Sequence, residues 1–297
     1  MRQLPPTERE NPRSRNLDLL DTAKLVETIV DDQRAAGDAV LAASAEIARA
    51  VDSIAQRLLA GGRLHYVGAG SSGRIATLDA SEMPPTFGTS PELVRAHIAG
   101  GVPALVRSLE GAEDDAPAGD ALAREYFKSG DAVVGISASG SAAFVLAALA
   151  RARAIGSLTI ALTSVAGSAL ADAAQIAIVL ETGPETLAGS TRLKAGTAAK
   201  IALNTISTAV MVRLGKVYDN LMVDVVANNC KLHARALRLV ERLAGVDSPR
   251  ARALLQSAGG SVKVAVVMER YGIGPAQAQT MLDGHRGALR PLLGSQG

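Results

Sequence analysis

Apolar residues recur every three or four positions in two stretches near the start of the chain, Leu17 to Ala36 and Ala39 to Ala60. This spacing places apolar side chains on one face of a helix, so two amphipathic helices are predicted. The sixteen or so residues before them are charged and contain prolines. We expect that segment to be an exposed arm.

The pattern changes after Gly61-Gly62 to short apolar runs separated by turns that contain glycine and serine. Such runs are typical of strands buried on both faces of a sheet. The predicted strands are Leu64 to Val67, Leu93 to Ile98, Ala132 to Ile136, Leu158 to Leu162 and Ile176 to Leu180. Helical patterns lie between them, at Arg74 to Ala80, Ala121 to Phe127 and Ala142 to Ala154. The fold class that follows is α/β, a doubly wound α-β-α sandwich with a parallel sheet.

A long stretch from Leu193 to Leu214 is apolar over so much of a helical surface that it must be buried on more than one side, and a subunit interface is one explanation. Beyond Val246, glycines divide four short helical patterns, which are Pro249 to Ala258, Val262 to Tyr271, Pro275 to Leu282 and Gly287 to Leu293. We therefore divide the chain into an N-terminal arm with helices (1–60), a central α/β domain (61–246) and a small helical module (247–297).

Composition excludes several classes of function. The formal charge is +2 and only 2% of the residues are aromatic, so the basic, aromatic surface typical of nucleic-acid binding is absent. One cysteine, Cys230, allows no internal disulfide, and the four histidines lack metal-ligand spacing. No cofactor or metal is expected. Without an apolar signal or a membrane-spanning run, the predicted location is the cytoplasm, with no membrane partner.

The first candidate site is the sequence VGAGSSGR, Val67 to Arg74, which follows a predicted strand and opens a helix. Its glycines allow a ligand to approach the backbone, and a helix N-terminus favours phosphate, so Gly70, Ser71 and Ser72 are predicted to bind the substrate. The spacing also matches a dinucleotide-binding loop. No acidic residue follows at the end of the next strand to hold a ribose, which disfavours that interpretation. Taken alone, the loop could also be a plain turn.

A second loop of similar design follows the strand Ala132 to Ile136. Its hydroxyls and its glycine, at Ser137, Ser139, Gly140 and Ser141, are predicted substrate ligands. Ligands of open α/β sheets bind outside the carboxyl ends of the strands, where both loops emerge. The two loops together therefore predict a crevice for a sugar phosphate. Ser190 and Thr191 are added as candidates, and they fit a helix N-cap equally well.

The paired loops resemble the sugar isomerase (SIS) domain, and longer stretches narrow the resemblance to the N-acetylmuramic acid 6-phosphate etherase family. The stretches are TEREN and NLD near the N-terminus, GAGSSGRIATLDASEMPPTFG, IAGG, EGAEDD, GPETLAGSTRLKAGTAAKIALN, LGKVYDNLMVDVVANNCKL and GGSVKVAVVM. They cover nearly the whole chain. In one place the chain departs from the family, because Ser141-Ala142-Ala143 stands where the resemblance implies an Arg-Thr-Pro-like continuation. The loop therefore lacks the polar contacts that an arginine and a threonine would give to a phosphate.

The resemblance implies a lyase that removes D-lactate from N-acetylmuramic acid 6-phosphate with water, with Glu82 as proton donor and Glu113 as base. Such a reaction needs both, because the C3 ether lies β to the aldehyde of the open-chain sugar and leaves after the C2 proton is removed. Met83, Pro84, Pro85 and Phe87 surround Glu82 in sequence, and an apolar setting would keep its carboxyl neutral. Glu113 lies in an acidic run that, without the resemblance, would be assigned to the solvated surface.

Two other functions fit the same fold. A phosphosugar-binding regulator, as the glucokinase regulatory protein is, needs hydroxyls but no acid and base, and an aldose-ketose isomerase needs no proton donor at C3. The resemblance also implies a homodimer and a UBA-like C-terminal module. Weaker candidates are Glu185 and Lys194 at the crevice, while His65 is expected in the core, and Lys231 and His233 on the surface.

Overall fold

The computed structural model describes residues 4–225 and 230–294, so part of the predicted family motif Leu214 to Leu232 lies outside the described residues. The chain divides into two compact units. The first comprises the chain up to Ser81 together with Glu92–Ser207, and the second comprises Glu82–Pro91 and the chain from Thr208 onward.

The first unit is built on a five-stranded parallel sheet with strand order β2-β1-β3-β4-β5. The strands are β1 Leu64–Gly68, β2 Val94–Ile98, β3 Ala132–Ile136, β4 Leu158–Thr163 and β5 Ile176–Val179. Every residue of β1, β3 and β4 is buried, as their unbroken apolar runs predicted. The predicted strands and the α/β fold class are confirmed.

Helices surround this sheet, and three 3-10 helices at Pro6–Glu8, Pro12–Ser14 and Leu17–Leu19 precede them. The α-helices are α1 Thr22–Asp32, α2 Arg34–Ala42, α3 Ser44–Leu59, α4 Gly70–Phe87, α5 Pro103–Val106, α6 Ala116–Tyr126, α7 Ala143–Ile155, α8 Ala169–Ala173 and α9 Lys194–Arg213. Where the sequence predicts two N-terminal helices, the structure contains three, α1 to α3, which are separated at Gln33 and Ala43. Helix α4 also continues through Pro84 and Pro85, where a proline pair favours an end.

The second unit contains a short antiparallel hairpin, β6 Val217–Tyr218 and β7 Leu221–Met222, followed by helices. The helices are α10 Cys230–Ala244, α11 Ser248–Ser257, α12 Val262–Tyr271, α13 Pro275–Gly284 and α14 Arg290–Leu293. Lys263 is buried, and its Nζ lies 2.8 Å from both Asp224 Oδ2 and the Gly215 carbonyl oxygen. This pairing offsets the cost of burying its charge. None of the helices in residues 4–225 and 230–294 has the length and apolar character needed to cross a bilayer.

A buried pair of histidines links neighbouring strands of the sheet. His65 Nδ1 lies 3.0 Å from His97 Nε2, and both rings pack against Phe127. Burial lowers the pKa of His65 to about 4 and that of His97 to about 3, although Asp131 beside His65 acts in the opposite direction. Both side chains are therefore neutral in the folded protein at pH 7, and His65 is a core residue as predicted.

Because an unfolded histidine has a pKa of about 6.5, the unfolded chain binds more protons than the folded chain between about pH 6.5 and 4. The free energy of unfolding should fall as pH is lowered through this window, by about 2 kcal/mol per histidine between pH 7.5 and 5. Urea unfolding at pH 7.5 and at pH 5 measures this change in the free energy of unfolding. His97→Gln should reduce the pH dependence; equal pH dependence in wild type and His97→Gln would contradict this account.

Candidate functional site

Glycines determine the shape of the first loop, between β1 and α4. A Cβ on Gly68 would lie 2.7 Å from the Gly73 nitrogen, and one on Gly73 would lie 2.5 Å from Ile98 Cγ1. Gly70 has a φ of +52°, which favours glycine. Strand β1 therefore turns directly into helix α4, and its first turn presents the half-buried Ser71 and Ser72 at a helix N-terminus, where an anion is stabilised.

Hydroxyl groups fill the second loop, between β3 and α7. Ser137 Oγ lies 3.4 Å from Ser139 Oγ, which lies 2.8 Å from Ser141 Oγ. The backbone nitrogen of Gly140 donates to Ser137 Oγ at 3.1 Å, and Gly140 has a φ of +68°. The three serines thus form one hydrogen-bonded chain that can donate to phosphate oxygens without adding charge.

Both loops line one crevice of the first unit, with a volume of about 280 Å³. It lies at the carboxyl ends of the parallel strands, the position at which open α/β sheets bind ligands. Its polar and glycine lining includes Glu8, Gly70, Ser71, Ser72, Glu113, Ser137, Ser139, Thr163, Ser164, Gly189 and Thr191. Six of the predicted substrate ligands, Gly70, Ser71, Ser72, Ser137, Ser139 and Thr191, are therefore together.

Three other predicted ligands do not line this crevice. Gly140 supports the loop from behind, since a Cβ there would lie 2.2 Å from Ser168 Oγ. Ser141 is exposed and contacts Ser139, and the backbone nitrogen of Ser190 donates to the Leu187 carbonyl in a turn. Their positions indicate a role in shaping the loops that carry the lining residues.

Glu113 is brought to the crevice by a short 3-10 helix, Ala112–Asp114, in the segment after β2. Its side chain is exposed, and it lines both the crevice and an adjoining cavity of about 250 Å³. The neighbouring Asp115 caps helix α6 by accepting a hydrogen bond from the Ala118 nitrogen at 2.9 Å. The acidic run thus combines a helix cap with a carboxylate at the crevice.

Glu82 differs from the sequence expectation. Met83 and Phe87 are four residues apart on helix α4, so they share one face of the helix, and both are buried. Glu82 lies on a different face of the helix and is exposed. The predicted apolar setting of Glu82 is therefore wrong for the single chain. Glu82 is not among the crevice residues.

A buried polar network supports the wall of the crevice at the start of α9. Both carboxylate oxygens of Glu185 accept backbone hydrogen bonds, from Lys194 at 2.8 Å and Ala195 at 2.9 Å, and burial raises the pKa of this carboxyl. Lys194 Nζ turns away from the crevice to Asp32 Oδ1 at 3.0 Å. Glu185 is therefore a helix cap, and Lys194 is an internal ion-pair partner, two roles that the sequence alone leaves open.

Asp32 is a residue that sequence analysis missed. Burial alone would raise its pKa, but hydrogen bonds from Thr186, Lys194 and Asn11 outweigh burial and lower the pKa of this carboxyl. The Asn11 side chain also donates to the Pro184 carbonyl at 3.2 Å. The N-terminal arm, expected to be exposed, is therefore partly buried at Thr7 and Asn11. A charged residue facing the core side of an amphipathic helix is the signal that could have found Asp32.

A larger cavity, of about 930 Å³, lies in the second unit, and its lining includes Lys216, His233 and Arg252. The predicted substrate ligands are not part of it. Lys231 and His233 are exposed on α10, as expected. Across the part of the chain that the structure describes, no three His, Cys, Asp or Glu side chains are grouped to hold a metal ion.

Comparison with known proteins defines the class first. Residues 116–207 match the SIS domain, and residues 46–153 match the N-terminal SIS domain of the glucokinase regulatory protein. Among solved structures, the chain resembles a phosphoheptose isomerase from Francisella tularensis, with a TM-score of 0.50 and 19% identity, covering 65% of this chain and 98% of that one. At this identity the resemblance supports the fold alone. The protein is an α/β protein of the SIS class.

Curated relatives define the family within that class. The chain is 52% identical to the N-acetylmuramic acid 6-phosphate etherase of Parasynechococcus marenigrum (strain WH8102), over 98% of this chain and 92% of that protein. Proteins of the same name from Gloeobacter violaceus and Deinococcus radiodurans are 51% and 46% identical, over 95% and 97% of this chain and 93% and 95% of theirs. The chain belongs to the N-acetylmuramic acid 6-phosphate etherase family.

Replacing Gly140 with alanine tests whether the serine loop shapes the crevice. The added Cβ would meet Ser168 Oγ at 2.2 Å in a backbone conformation with φ of +68°, so the loop must shift. We expect a loss of ~1–3 kcal/mol in stability, typical of overpacking, and at least about tenfold weaker binding of N-acetylglucosamine 6-phosphate. Urea unfolding and calorimetry measure these effects.

Gly167→Ala is the matched control, because Gly167 has a φ of +64° and nothing within 4 Å of the added Cβ. It should show the strain of a positive φ without the clash, and keep its affinity for the phosphosugar. Equal affinity of wild type and Gly140→Ala would show that the loop does not shape the binding site.

Proposed function

We propose that this protein cleaves the D-lactyl ether of N-acetylmuramic acid 6-phosphate with water, giving N-acetylglucosamine 6-phosphate and D-lactate, in the recycling of cell-wall amino sugars. One observation carries the proposal within the family. A crevice lined by the hydroxyls of two loops also contains the carboxylate of Glu113. Hydroxyls and a helix N-terminus suit the phosphate, and a carboxylate suits removal of a proton.

The chemistry assigns one task to each group. With the sugar in its open-chain form, Glu113 takes the C2 proton, the C3–O bond breaks, and the departing lactate oxygen receives a proton from an acid. Water then adds across the double bond: its hydroxyl bonds to C3 while the deprotonated acid takes its proton, and Glu113 returns the proton it holds to C2, so both groups regain their starting states. This reaction needs a base at C2 and an acid at the ether oxygen, and it leaves no unbalanced charge.

We propose Glu82 as the acid, supplied by a second copy of the chain in a homodimer. Two features of α4 support a protein contact there: Glu82 and Leu78 share a helix face, and Leu78 is 48% exposed. A contact that covers Leu78 would also take Glu82 out of water, and desolvation favours the neutral, proton-donating form of a carboxyl. Ile201 of helix α9, which is 37% exposed, offers further apolar surface for a partner.

A cytoplasmic location belongs to the same proposal. The substrate carries a phosphate, and the chain has one cysteine, Cys230, so no internal disulfide can form.

The reaction as written consists of acid-base steps that exchange protons and water only. We therefore propose that the protein works without an added metal or nucleotide.

Purified protein incubated with N-acetylmuramic acid 6-phosphate in metal-free buffer should release one D-lactate for each N-acetylglucosamine 6-phosphate formed. An enzyme-coupled D-lactate assay measures the first product, and mass spectrometry the second. Ser139→Ala, which removes the central hydroxyl of the serine chain, should raise KM because it removes a ligand of the phosphate.

The control is Ser53→Ala, at a half-buried position on α3 outside the crevice. It should have wild-type kinetics. A folded protein that binds the phosphosugar and releases no lactate would contradict the proposal and favour a regulator that binds without chemistry.

A further inference from the structure

The crevice contains a second carboxylate that the reaction above does not use. Glu8 ends the 3-10 helix Pro6–Glu8 in the N-terminal arm, within the TEREN sequence. It lines the same crevice as Glu113, in the same unit, and its side chain is exposed and thus accessible to a ligand. Its neighbour Glu10 is also exposed and does not line the crevice.

Hydrogen bonds on both sides of Glu8 hold the arm in place. The Gly189 nitrogen donates to the Thr7 carbonyl at 3.0 Å, and Thr7 is fully buried. On the other side, Asn11 Nδ2 donates to Asp32 Oδ1 at 3.0 Å, and Ser14 Oγ donates to the Thr186 carbonyl at 2.7 Å. These contacts fix the arm on both sides of Glu8, so its side chain projects from a defined point of the backbone.

Gly189 leaves room for the Glu8 carboxylate. A Cβ on Gly189 would lie 3.0 Å from Glu8 Oε2, and the φ of +77° at Gly189 favours glycine. The absence of a side chain therefore lets the carboxylate rest against the backbone of this loop at the edge of the crevice. Both the arm and the loop are adapted to its position.

The two carboxylates reach the crevice from opposite edges of the sheet. Glu113 lies in the segment that follows β2, and Glu8 rests on Gly189, in the segment that follows β5; β2 and β5 are the two edge strands. The serine loops that follow β1 and β3 lie between them. A sugar held by its phosphate at those loops would meet one carboxylate on each side.

The proposed reaction requires a step that Glu113 does not perform. The C2 proton becomes acidic only when C1 is an aldehyde, so the sugar ring must open first. Opening moves one proton: the O1 hydroxyl loses it, the C1–O5 bond breaks, and O5 gains it. One carboxylate can accept the proton from O1 and return it to O5, and it then ends in its starting state.

We infer that Glu8 is the group that opens the sugar ring, by carrying this proton from O1 to O5 while Glu113 stands at C2. The inference rests on the proposed function, because only a C2 proton transfer requires the open chain. It assigns the TEREN sequence a catalytic role: the arm holds a carboxylate across the crevice from the base.

Ring opening is measured apart from lactate release by the interconversion of the α and β anomers of N-acetylglucosamine 6-phosphate, followed by NMR exchange spectroscopy. Wild-type protein should accelerate interconversion over buffer. Glu8→Gln should lose at least about tenfold of this acceleration, equivalent to ~1.4 kcal/mol or more. Glu8→Asp should restore part of it, while Glu10→Gln should match wild type.

Glu113→Gln separates the two steps, because it should keep anomer interconversion and lose exchange at C2. Phosphosugar binding, measured by calorimetry, should survive in Glu8→Gln. The inference is overturned if wild type does not accelerate interconversion, if Glu8→Gln accelerates it fully, or if Glu8→Gln keeps interconversion and loses only lactate release. Loss of binding without rescue by Glu8→Asp would make Glu8 structural and also overturn it. Absence of lactate from a protein that still interconverts anomers would instead contradict the proposed function.

Discussion

The register between β1 and β3 is the constraint on which the crevice depends. These parallel strands pair along their whole length, so Gly68 at the end of β1 lies beside Ile136 at the end of β3. Each strand is followed at once by a loop with serines and then a helix, and the parallel direction places both loops at one edge of the sheet. A shift of one residue would turn every side chain of a strand to the other face and separate the two loops.

Contacts distant in sequence complete the crevice around these loops. Asp32 from α1 holds Lys194 and Thr186, and Asn11 joins the N-terminal arm to the same carboxylate. A buried charge is costly unless it is paired, so the network is retained only if all its members stay in place. The arm, the loop after β5 and the start of α9 are thereby held together. One consequence is that Glu8 has a defined position at the crevice.

Local sequence pattern predicted the parts of the fold that depend on neighbours in the chain. The apolar runs of β1, β3 and β4 are buried on both faces, and their strands begin at the predicted residues. The pattern predicted too short a helix at Arg74 to Ala80, because α4 continues through Pro84 and Pro85, where local preference favours an end. The residues of the site also divide into those with a local sequence signal and those that depend on distant contacts. The serine loops were visible because a strand, a glycine turn and a helix leave a signal, whereas Glu8 and Asp32 acquire their roles from contacts with residues far away in sequence.

Exchange of the C2 proton tests most directly whether this crevice removes a proton from a phosphosugar through Glu113. N-acetylglucosamine 6-phosphate incubated with wild-type protein in deuterium oxide should gain deuterium at C2, as followed by NMR. Glu113→Gln should bind the sugar and incorporate none, while Asp114→Asn, a change at the adjacent exposed carboxylate, should exchange as wild type does. Unchanged exchange in Glu113→Gln would show that another group is the base and would contradict the account.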